Sequence, residues 1–308
     1  MNGTLVIGSR GSKLALFQAE QARQRLLELN SGREVRIEII KTTGDVKSDP
    51  LTVIGGKGVF TKELEDALID RRIDIAVHSL KDLPTVLPSE LTIGAICERE
   101  DPRDALVLRR EITGTRQSLR ELPPQAIVGT SSQRRVAQLR AVRSDVVIRD
   151  LRGNVDTRLR KLDEGQYDAL ILASAGLKRL NLANRITAAI PIEQMLPAVG
   201  QGAIAIEIRK DDEDISAAVR LLDHASTRIA CVAERSLLRA LGGGCQLPIA
   251  GYAVVKDNVL DLEGLVASRD GSVVLRERIS GSADAAESLG ITLGQKLLAR
   301  GANSLLQN

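Results

Sequence analysis

Short apolar runs alternate with amphipathic stretches along the first two-thirds of the chain. The β-branched or alternating runs at residues 5–7, 35–40 and 73–77 predict strands. Apolar residues recur at helical spacing from residue 14 to residue 29, and a second helix is predicted over residues 61–69 with Thr61 as its N-cap. Strands and helices in this order predict an α/β lobe with a largely parallel sheet.

The same alternation restarts near residue 126. Strands are predicted at residues 126–128, 146–148 and 169–172, and helices at 134–142 and 155–162. Asp74 and Asp168 each open a strand after a helix, and turns with hydroxyl residues and arginine occur at residues 9–12 and 130–135. The repeated pattern predicts two similar α/β lobes facing a cleft, with ligands at the carboxyl ends of the strands.

Beyond about residue 220 the pattern changes. A long helix is predicted over residues 225–241, followed by a glycine-rich loop that carries Cys245. Strands are predicted at residues 249–255, 259–267 and 273–279, with Asp270 and Gly271 as a hairpin turn, and a last helix over residues 285–299. We therefore expect a small, separate α+β domain that presents Cys245 on a loop.

Composition narrows the class of protein. Hydrophobic residues make up 43% and charged residues 27% of the chain, values typical of soluble globular proteins. The apolar runs are too short to cross a bilayer and residues 1–20 lack a secretory pattern, so we expect a cytoplasmic protein without a membrane partner. A net charge of +3, with two Phe, two Tyr and no Trp, argues against nucleic-acid binding.

The three cysteines have neither metal-ligand spacing nor the even number of a disulfide framework, so we predict no metal site. Cys97 and Cys231 lie among apolar neighbours, which predicts buried and inert thiols. Cys245 follows three glycines, which allow a bulky ligand to approach a reactive thiol. Spacing alone equally allows a flexible loop with an incidental cysteine.

No histidine is an evident base for Cys245. His224 lies in a polar stretch and is predicted to be exposed, and His78 ends a strand, where a lone histidine is more often structural. Asp82 follows the same strand, at the point where a cleft is expected. It either pairs with Lys81 at the surface or serves as an acid–base or cation-stabilising group, and both interpretations stay open.

Arginines gather at loops and helix starts, beside glycine and hydroxyl residues. They are Arg10, Arg134, Arg135, Arg149, Arg152, Arg158 and Arg179. Ordinary capping with solvated arginine explains any one of these turns, but several together favour a polyanionic ligand. The loop at residues 55–58 contains glycines and Lys57 but lacks the spacing of a nucleotide-binding P-loop.

Six motifs, in the same order, resemble those of the hydroxymethylbilane synthase family, also called porphobilinogen deaminase. They lie at residues 76–84 (AVHSLKDLP), 97–104 (CEREDPRD), 128–135 (VGTSSQRR), 151–155 (LRGNV), 196–202 (LPAVGQG) and 242–248 (GGGCQLP). The resemblance extends over residues 5–298. It implies two periplasmic-binding-protein-like α/β lobes around a cleft and a small C-terminal α+β domain. Residues 1–98 and 200–218 would form domain 1, residues 99–199 domain 2, and residues 219–308 domain 3.

The resemblance also implies an activity. Members of the family are transferases of tetrapyrrole and heme biosynthesis that condense four porphobilinogen molecules head to tail, with loss of ammonia, and release hydroxymethylbilane by hydrolysis. The growing chain is attached to a dipyrromethane cofactor, which a thioether holds to the cysteine that matches Cys245. We expect a monomer whose small-molecule partner is porphobilinogen.

The resemblance assigns roles to individual residues. Asp82 matches the catalytic aspartate, which stabilises cationic pyrroles and shuttles their protons. The implied cofactor-binding residues are Cys245, Ser79, Lys81, Thr130, Ser131, Arg134, Arg135, Arg152 and Gly153. The implied substrate-binding residues are Arg10, Ser12, Arg158, Arg179, Phe60 and Lys57, the last in a loop thought to gate the cleft.

A second class of function fits the same pattern. Two α/β lobes that close on a carboxylate-rich metabolite would form a non-catalytic binding protein, in which Cys245 is incidental. A covalent group on Cys245 separates the two hypotheses, because only the enzyme requires one.

Overall fold

The computed structural model describes residues 4–29, 32–43, 60–112, 118–244 and 247–307. Two of the predicted site residues, Lys57 and Cys245, lie outside the described residues, as does the loop at 55–58. The chain divides into two compact units, the first formed by Met1–Arg99 with Ala203–Arg228 and the second by Glu100–Gly202 with Ile229–Asn308.

Strands and helices are numbered in chain order over the described residues. The strands are β1 (Leu5–Ser9), β2 (Val35–Ile39), β3 (Ile75–Ser79), β4 (Leu91–Ile96), β5 (Asp104–Leu108), β6 (Ile127–Gly129), β7 (Val147–Arg149), β8 (Ala169–Ala173), β9 (Ala188–Ala189), β10 (Ile204–Arg209), β11 (Ile249–Lys256), β12 (Val259–Ala267) and β13 (Val274–Ser282). The helices are α1 (Lys13–Leu29), α2 (Lys62–Ile69), α3 (Gln133–Val142), α4 (Val155–Asp163), α5 (Ser174–Arg179), α6 (Glu213–Arg220), α7 (Ala225–Ala240), α8 (Ala286–Ala299) and α9 (Ala302–Gln307).

The first unit is built on a five-stranded sheet in the order β2-β1-β3-β10-β4. β1 runs parallel to β2 and β3, whereas β10 runs antiparallel to β3 and β4. Helix α1 buries Ala19, Ala22 and Leu26 in the same core as Ile7 and Ile206. The predicted alternation of strand and helix is therefore confirmed here, with one antiparallel strand that returns from a distant part of the chain.

The second unit contains a five-stranded sheet of the same topology, in the order β7-β6-β8-β5-β9. In this sheet β6, β7 and β8 take the places that β1, β2 and β3 have in the first sheet. Equivalent aspartates open the central strands: Asp74 accepts from the backbone N–H of Val6 at 2.8 Å, and Asp168 accepts from that of Ile127 at 2.9 Å. The antiparallel strands match as well, because Arg209 pairs with Asp74 at 3.2 Å and Arg109 with Asp168 at 3.4 Å. The predicted similarity of the two lobes is confirmed in their hydrogen bonding.

The second unit also contains the antiparallel sheet β11-β12-β13. β12 and β13 pair along their whole length across the predicted turn, where Gly271 has a φ of 72°. Helices α7 and α8 cover this sheet through a core that includes Leu237, Leu262 and Leu293. The α/β class, with two sheet-and-helix lobes and a small C-terminal domain, is confirmed, while the exact domain boundaries stay a prediction.

Several local predictions need correction. β3 begins at Ile75 rather than at residue 73, because the backbone of Ile73 bonds back to Ala67 and belongs to the turn after α2. Thr61 occupies the N-cap position of α2, but its side chain makes no capping hydrogen bond. Cys97, predicted to be buried, is partly exposed at the margin of the first core, whereas Cys231 is buried as predicted.

Among the described helices, none is both long enough and apolar enough to cross a membrane.

Candidate active site

A pocket in the first unit opens at the carboxyl ends of β1 and β3. Its walls include Arg10, Ser12, Phe60, His78, Ser79 and Asp82. Because β1 and β3 are parallel neighbours, the turns that follow them meet at one edge of the sheet. The structure therefore brings together five of the residues that the resemblance assigned to the cofactor, the substrate and catalysis, and it adds His78.

The turn after β1 places a cation and a hydroxyl at this edge. Ser12 caps α1, since its hydroxyl accepts from the backbone N–H of Ala15 at 3.3 Å. The guanidinium carbon of Arg10 lies 4.3 Å from the centroid of the Phe60 ring. This cation–π contact orients the two side chains against each other in the pocket wall.

Asp82 is held at the pocket by its neighbours on both sides. It ends a single 3₁₀ turn, Leu80–Asp82, whose N–H at Leu80 donates to the carbonyl of Ala203 at 3.0 Å. Leu80 and Leu83 are 1% and 4% exposed, whereas Asp82 itself is exposed. Two buried anchors thus fix the backbone while the carboxylate stays accessible, which is what an acid–base group requires.

Gln18 is a pocket residue that the sequence pattern did not identify. Its side-chain amide donates to the hydroxyl of Ser79 at 2.9 Å, and the side chain is buried although it is polar. It lies on the same face of α1 as Ala15, Ala19 and Ala22. The sequence could have indicated Gln18, because it is a polar residue on the otherwise apolar face of a helix.

Behind the pocket lies a buried group of titratable side chains. Nε2 of His78 lies 2.9 Å from Oε2 of Glu207 on β10, and the two side chains are 4% and 0% exposed. Glu65 on α2 is also buried, and its burial, together with the nearby charge of Glu207, raises the pKa of its carboxyl. Neither glutamate was identified from the sequence, although Glu207 stands between two isoleucines in β10.

The second unit contains a buried cluster of opposite charges. Asp104 accepts hydrogen bonds from Arg134 at 2.6 Å, Arg135 at 2.8 Å and the side-chain amide of Gln201 at 2.9 Å. Burial alone would raise the pKa of Asp104, but the two guanidiniums outweigh it and hold that pKa well below its ordinary value. Arg134 also donates to the carbonyl of Leu196.

The turn between β6 and α3 carries the predicted hydroxyls. Ser131 donates to the carbonyl of Leu151 at 3.0 Å and accepts from its N–H at 2.9 Å, so this turn is tied to the segment that holds Arg152 and Gly153. Thr130 is buried and accepts from the N–H of Ser132 at 3.3 Å.

Gly153 has a φ of 108°, a conformation that only glycine adopts readily. Its carbonyl accepts from Arg158 Nε at 2.7 Å. Arg179, at the end of α5, donates to the carbonyl of Gly202 at 2.7 Å. Arg134 and Arg135 are thus held by a buried carboxylate, whereas Arg158 and Arg179 are tied to the backbone of neighbouring loops.

Among solved structures, the chain is similar to the periplasmic VFT2 domain of BvgS from Bordetella pertussis. It is 15% identical, with a TM-score of 0.40, and the match covers 72% of this chain and 86% of that domain.

Comparisons with protein families and characterised relatives agree with each other. Residues 5–217 match the model of the porphobilinogen deaminase, dipyromethane cofactor binding domain, and residues 228–299 match that of the porphobilinogen deaminase C-terminal domain. A porphobilinogen deaminase of Chromobacterium violaceum is 51% identical over 303 residues, which cover 98% of this chain and 96% of the relative. One from Nitrosomonas europaea is also 51% identical, over 98% of this chain and 97% of the relative. On these matches, which span both units, the chain belongs to the porphobilinogen deaminase family.

Proposed function

We propose that the chain catalyses the reaction of its family. It is a transferase of tetrapyrrole biosynthesis that condenses porphobilinogen head to tail, with loss of ammonia, and releases hydroxymethylbilane. The observation that carries this proposal is the pocket of the first unit, in which the exposed carboxylate of Asp82 shares a wall with Arg10, Ser12 and Ser79.

The residues of the first unit suit the substrate. Porphobilinogen carries an acetate and a propionate, and Arg10 offers a planar guanidinium that binds carboxylates in a bidentate manner. Ser12 and Ser79 line the same pocket and supply further hydrogen-bond donors, and Lys81 lies next to Asp82 in the turn after β3. Phe60 lies against the guanidinium of Arg10 and presents an apolar surface to a pyrrole ring. We assign the substrate carboxylates to this group, together with Lys57 of the loop at 55–58.

Asp82 acts on the reacting atoms in this proposal. Loss of ammonia leaves a cationic azafulvene, and the pyrrole that attacks it becomes cationic in turn. A fixed carboxylate stabilises both cations as they develop and can take up a pyrrole proton. The exposed position of Asp82 at the end of a buried strand suits both tasks.

The family's dipyrromethane cofactor carries carboxylates, and the second unit fits an anionic group of this kind. Two guanidiniums, those of Arg134 and Arg135, share the single carboxylate of Asp104, so the buried cluster keeps a net positive charge. Nε of Arg134 is buried without a hydrogen-bond partner among the described residues. When bound, the cofactor supplies the pyrrole carbon to which the first porphobilinogen is added. We assign its binding to Thr130, Ser131, Arg134, Arg135, Arg152 and Gly153, with Arg158 and Arg179 nearby for substrate carboxylates and Cys245 as the thioether anchor.

We further propose a monomeric, cytoplasmic enzyme without nucleic-acid partners. Domain 1 would comprise residues 1–98 and 200–218, domain 2 residues 99–199, and domain 3 residues 219–308. The return of β10 to the first sheet supports the split form of domain 1.

Intact-mass measurement of the purified protein tests the proposal. We expect an added mass that corresponds to a dipyrromethane, and we expect Cys245→Ser to abolish both this addition and the turnover of porphobilinogen. Cys231→Ser is the matched control, because that thiol is buried in a helix, and it should keep the added mass. A wild-type protein that carries no added mass and consumes no porphobilinogen would rule out the enzyme and favour a binding protein.

A further inference from the structure

The hydrogen bond between His78 and Glu207 selects one tautomer of the imidazole. The carboxylate of Glu207 is an acceptor, so Nε2 of His78 carries the proton of the 2.9 Å contact. The neutral ring then holds a lone pair on Nδ1, which leaves that nitrogen as the proton acceptor. A buried carboxylate that orients a histidine in this way is the arrangement by which proteins build a general base.

The pair is placed by the strand that returns to the first sheet. In the β3–β10 register, His78 lies opposite Ala205 and Glu207 lies opposite Ala76, so the two side chains are diagonal neighbours on one face of the sheet. Glu207 is 0% exposed, and a charged carboxylate at such a site requires a partner. His78 supplies that partner and at the same time lines the pocket with Asp82.

Other charged groups surround the ring. Glu65 approaches from α2, Arg10 and Asp82 face the same pocket, and Lys81 lies in the turn beside Asp82. Oε1 of Glu65 and Oε1 of Glu207 are buried without hydrogen-bond partners among the described residues. Burial raises the pKa of Glu65, so this carboxyl is more readily protonated than usual.

We propose that His78, oriented by Glu207, is a second catalytic residue of the pocket, which accepts the proton released when each pair of pyrroles is joined. The proposal rests on the function proposed above. In each condensation, a C–C bond forms between the unsubstituted α carbon of one pyrrole and the methylene carbon of the incoming porphobilinogen. The amine on that methylene is protonated, so when the C–N bond breaks, its electron pair leaves with ammonia.

The proton of the α C–H bond must also depart before the pyrrole regains its aromatic ring. Nδ1 of His78 takes up this proton, with Asp82 as the group that stabilises the cation, and passes it to ammonia. The products are the joined pyrroles and one ammonium ion, and both side chains return to their starting state. No oxidant or further reactant is needed.

Substitution of His78 by glutamine separates a proton-transfer role from a structural one. The amide of His78→Gln can still donate to Glu207, but it cannot carry a proton near neutral pH. We expect this variant to keep the cofactor mass and a melting temperature close to that of the wild type. We expect kcat to fall by about a hundredfold or more, with KM changed only a few-fold. Wild-type kcat in a folded His78→Gln holoenzyme would overturn the proposal.

A matched control and a second variant accompany this test. His224→Gln changes the chain's other histidine, which is exposed and bonds to Thr227 at 2.8 Å, and it should leave kcat unchanged. Glu207→Gln keeps the imidazole but weakens its orientation, and it should also lower kcat at unchanged cofactor mass. A folded Glu207→Gln enzyme with normal kcat would contradict the role given to Glu207.

The tautomer can be measured without reference to activity. With two histidines in the chain, ¹⁵N-histidine labelling gives two ring systems, and the spectrum of His224→Gln assigns them. We expect neutral His78 in the Nε2–H form, and an Nδ1–H form would overturn the proposal even if the variants fail to fold. Wild-type protein without cofactor mass or turnover would instead refute the proposed function, so the two failures are distinguishable.

Discussion

At the residue scale, the exposed carboxylate of Asp82 contrasts with the buried carboxylate of Asp104. Asp82 lies between two buried leucines, so its backbone is fixed while its charge stays in contact with water. Asp104 is 0% exposed and is bonded by two arginines. The first arrangement suits chemistry on a ligand, and the second fixes the positions of the guanidiniums.

Replacement of Asp82 by asparagine tests the first arrangement. Because the side chain is exposed and removes no buried contact, we expect Asp82→Asn to fold and to keep the cofactor mass. The amide can neither stabilise a cation by charge nor take up a proton, so kcat should fall by roughly a hundredfold or more. Asp211→Asn is the control, since Asp211 forms an exposed pair with Arg71, and normal turnover in Asp82→Asn would exclude Asp82 from the chemistry.

Replacement of Asp104 by asparagine tests the second arrangement. It leaves two buried guanidiniums without their counter-charge, and the loss of one partner from such a cluster costs about 3–5 kcal/mol of unfolding free energy. Urea denaturation of Asp104→Asn measures this loss. The loss of an exposed surface pair lowers the unfolding free energy by about 1 kcal/mol or less. A decrease of only that size in Asp104→Asn would mean that the cluster is not buried in solution.

The same carboxyl predicts an acid dependence of stability. Its pKa is lowered from 3.8 in the folded protein, so the unfolded chain binds its proton first as the pH falls. The stabilisation from Asp104 is therefore complete at neutral pH and is lost progressively below about pH 4. The curve of unfolding free energy against pH should be flatter in Asp104→Asn over that acid range.

At the element scale, two equivalent strand ends carry different chemistry. β3 in the first lobe and β8 in the second both begin after an aspartate and pair with a parallel neighbour. β3 continues into the turn that presents Asp82, whereas β8 continues into α5, which contains no carboxylate. The repeated fold supplies the position, and the residues after each strand decide which lobe carries the carboxylate that we propose as the catalytic group.

Helices α7 and α8 pack against each other at a glycine. A Cβ atom on Gly290 would lie 2.3 Å from the carbonyl oxygen of Ala233 and 2.8 Å from Cβ of Ser236. Gly290→Ala gains about 1 kcal/mol in helix propensity, but overpacking typically costs about 1–3 kcal/mol. Because the obstruction is backbone, we expect the cost to exceed the gain and the variant to be less stable by about 1 kcal/mol in urea denaturation. Ile291→Ala, at an exposed neighbouring position, should change stability by about 0.5 kcal/mol or less, and a stabilised Gly290→Ala would contradict the close contact.

At the scale of the whole molecule, single side chains join segments that are distant in the sequence. Glu234 on α7 accepts from the N–H of Gly200 at 2.7 Å and from that of Ala253 at 2.9 Å. One buried carboxylate thus connects the loop before β10, a long helix and the C-terminal sheet. These bonds lie wholly within the second unit.

Exchange of Glu234 for glutamine should weaken this connection. The amide of Glu234→Gln presents N–H groups to one of the two backbone donors, and a buried donor without an acceptor costs about 1–3 kcal/mol. We expect a lower melting temperature and faster hydrogen exchange at the amides of Gly200 or Ala253. Glu287→Gln, which changes an exposed glutamate, is the control, and unchanged exchange in Glu234→Gln would argue against the two bonds.

Periodicity determined much of the fold because it reports which face of an element is buried. The helix predicted over residues 14–29 and the strand predicted over 259–267 agree with α1 and β12 within one residue. β4, β5, β9 and β10 were missed. Every residue of β5 and β10 is buried, and a strand buried on both faces has no alternating pattern. The family motifs pointed to Asp82 and to the arginines directly, because those residues stand in contiguous segments.

The tertiary structure alone decided which distant residues meet. His78 and Glu207 are 129 positions apart, and Arg134 and Asp104 are 30 apart, yet each pair forms a buried contact. Such contacts depend on strand order, because β10 inserts antiparallel beside β3 and brings Glu207 to His78 behind the pocket. Burial then gives these pairs their strength, since a charge removed from water requires a partner that local sequence cannot specify. The sequence thus determined the elements and the residue types at the site, and the packing of the sheets determined which side chains pair there.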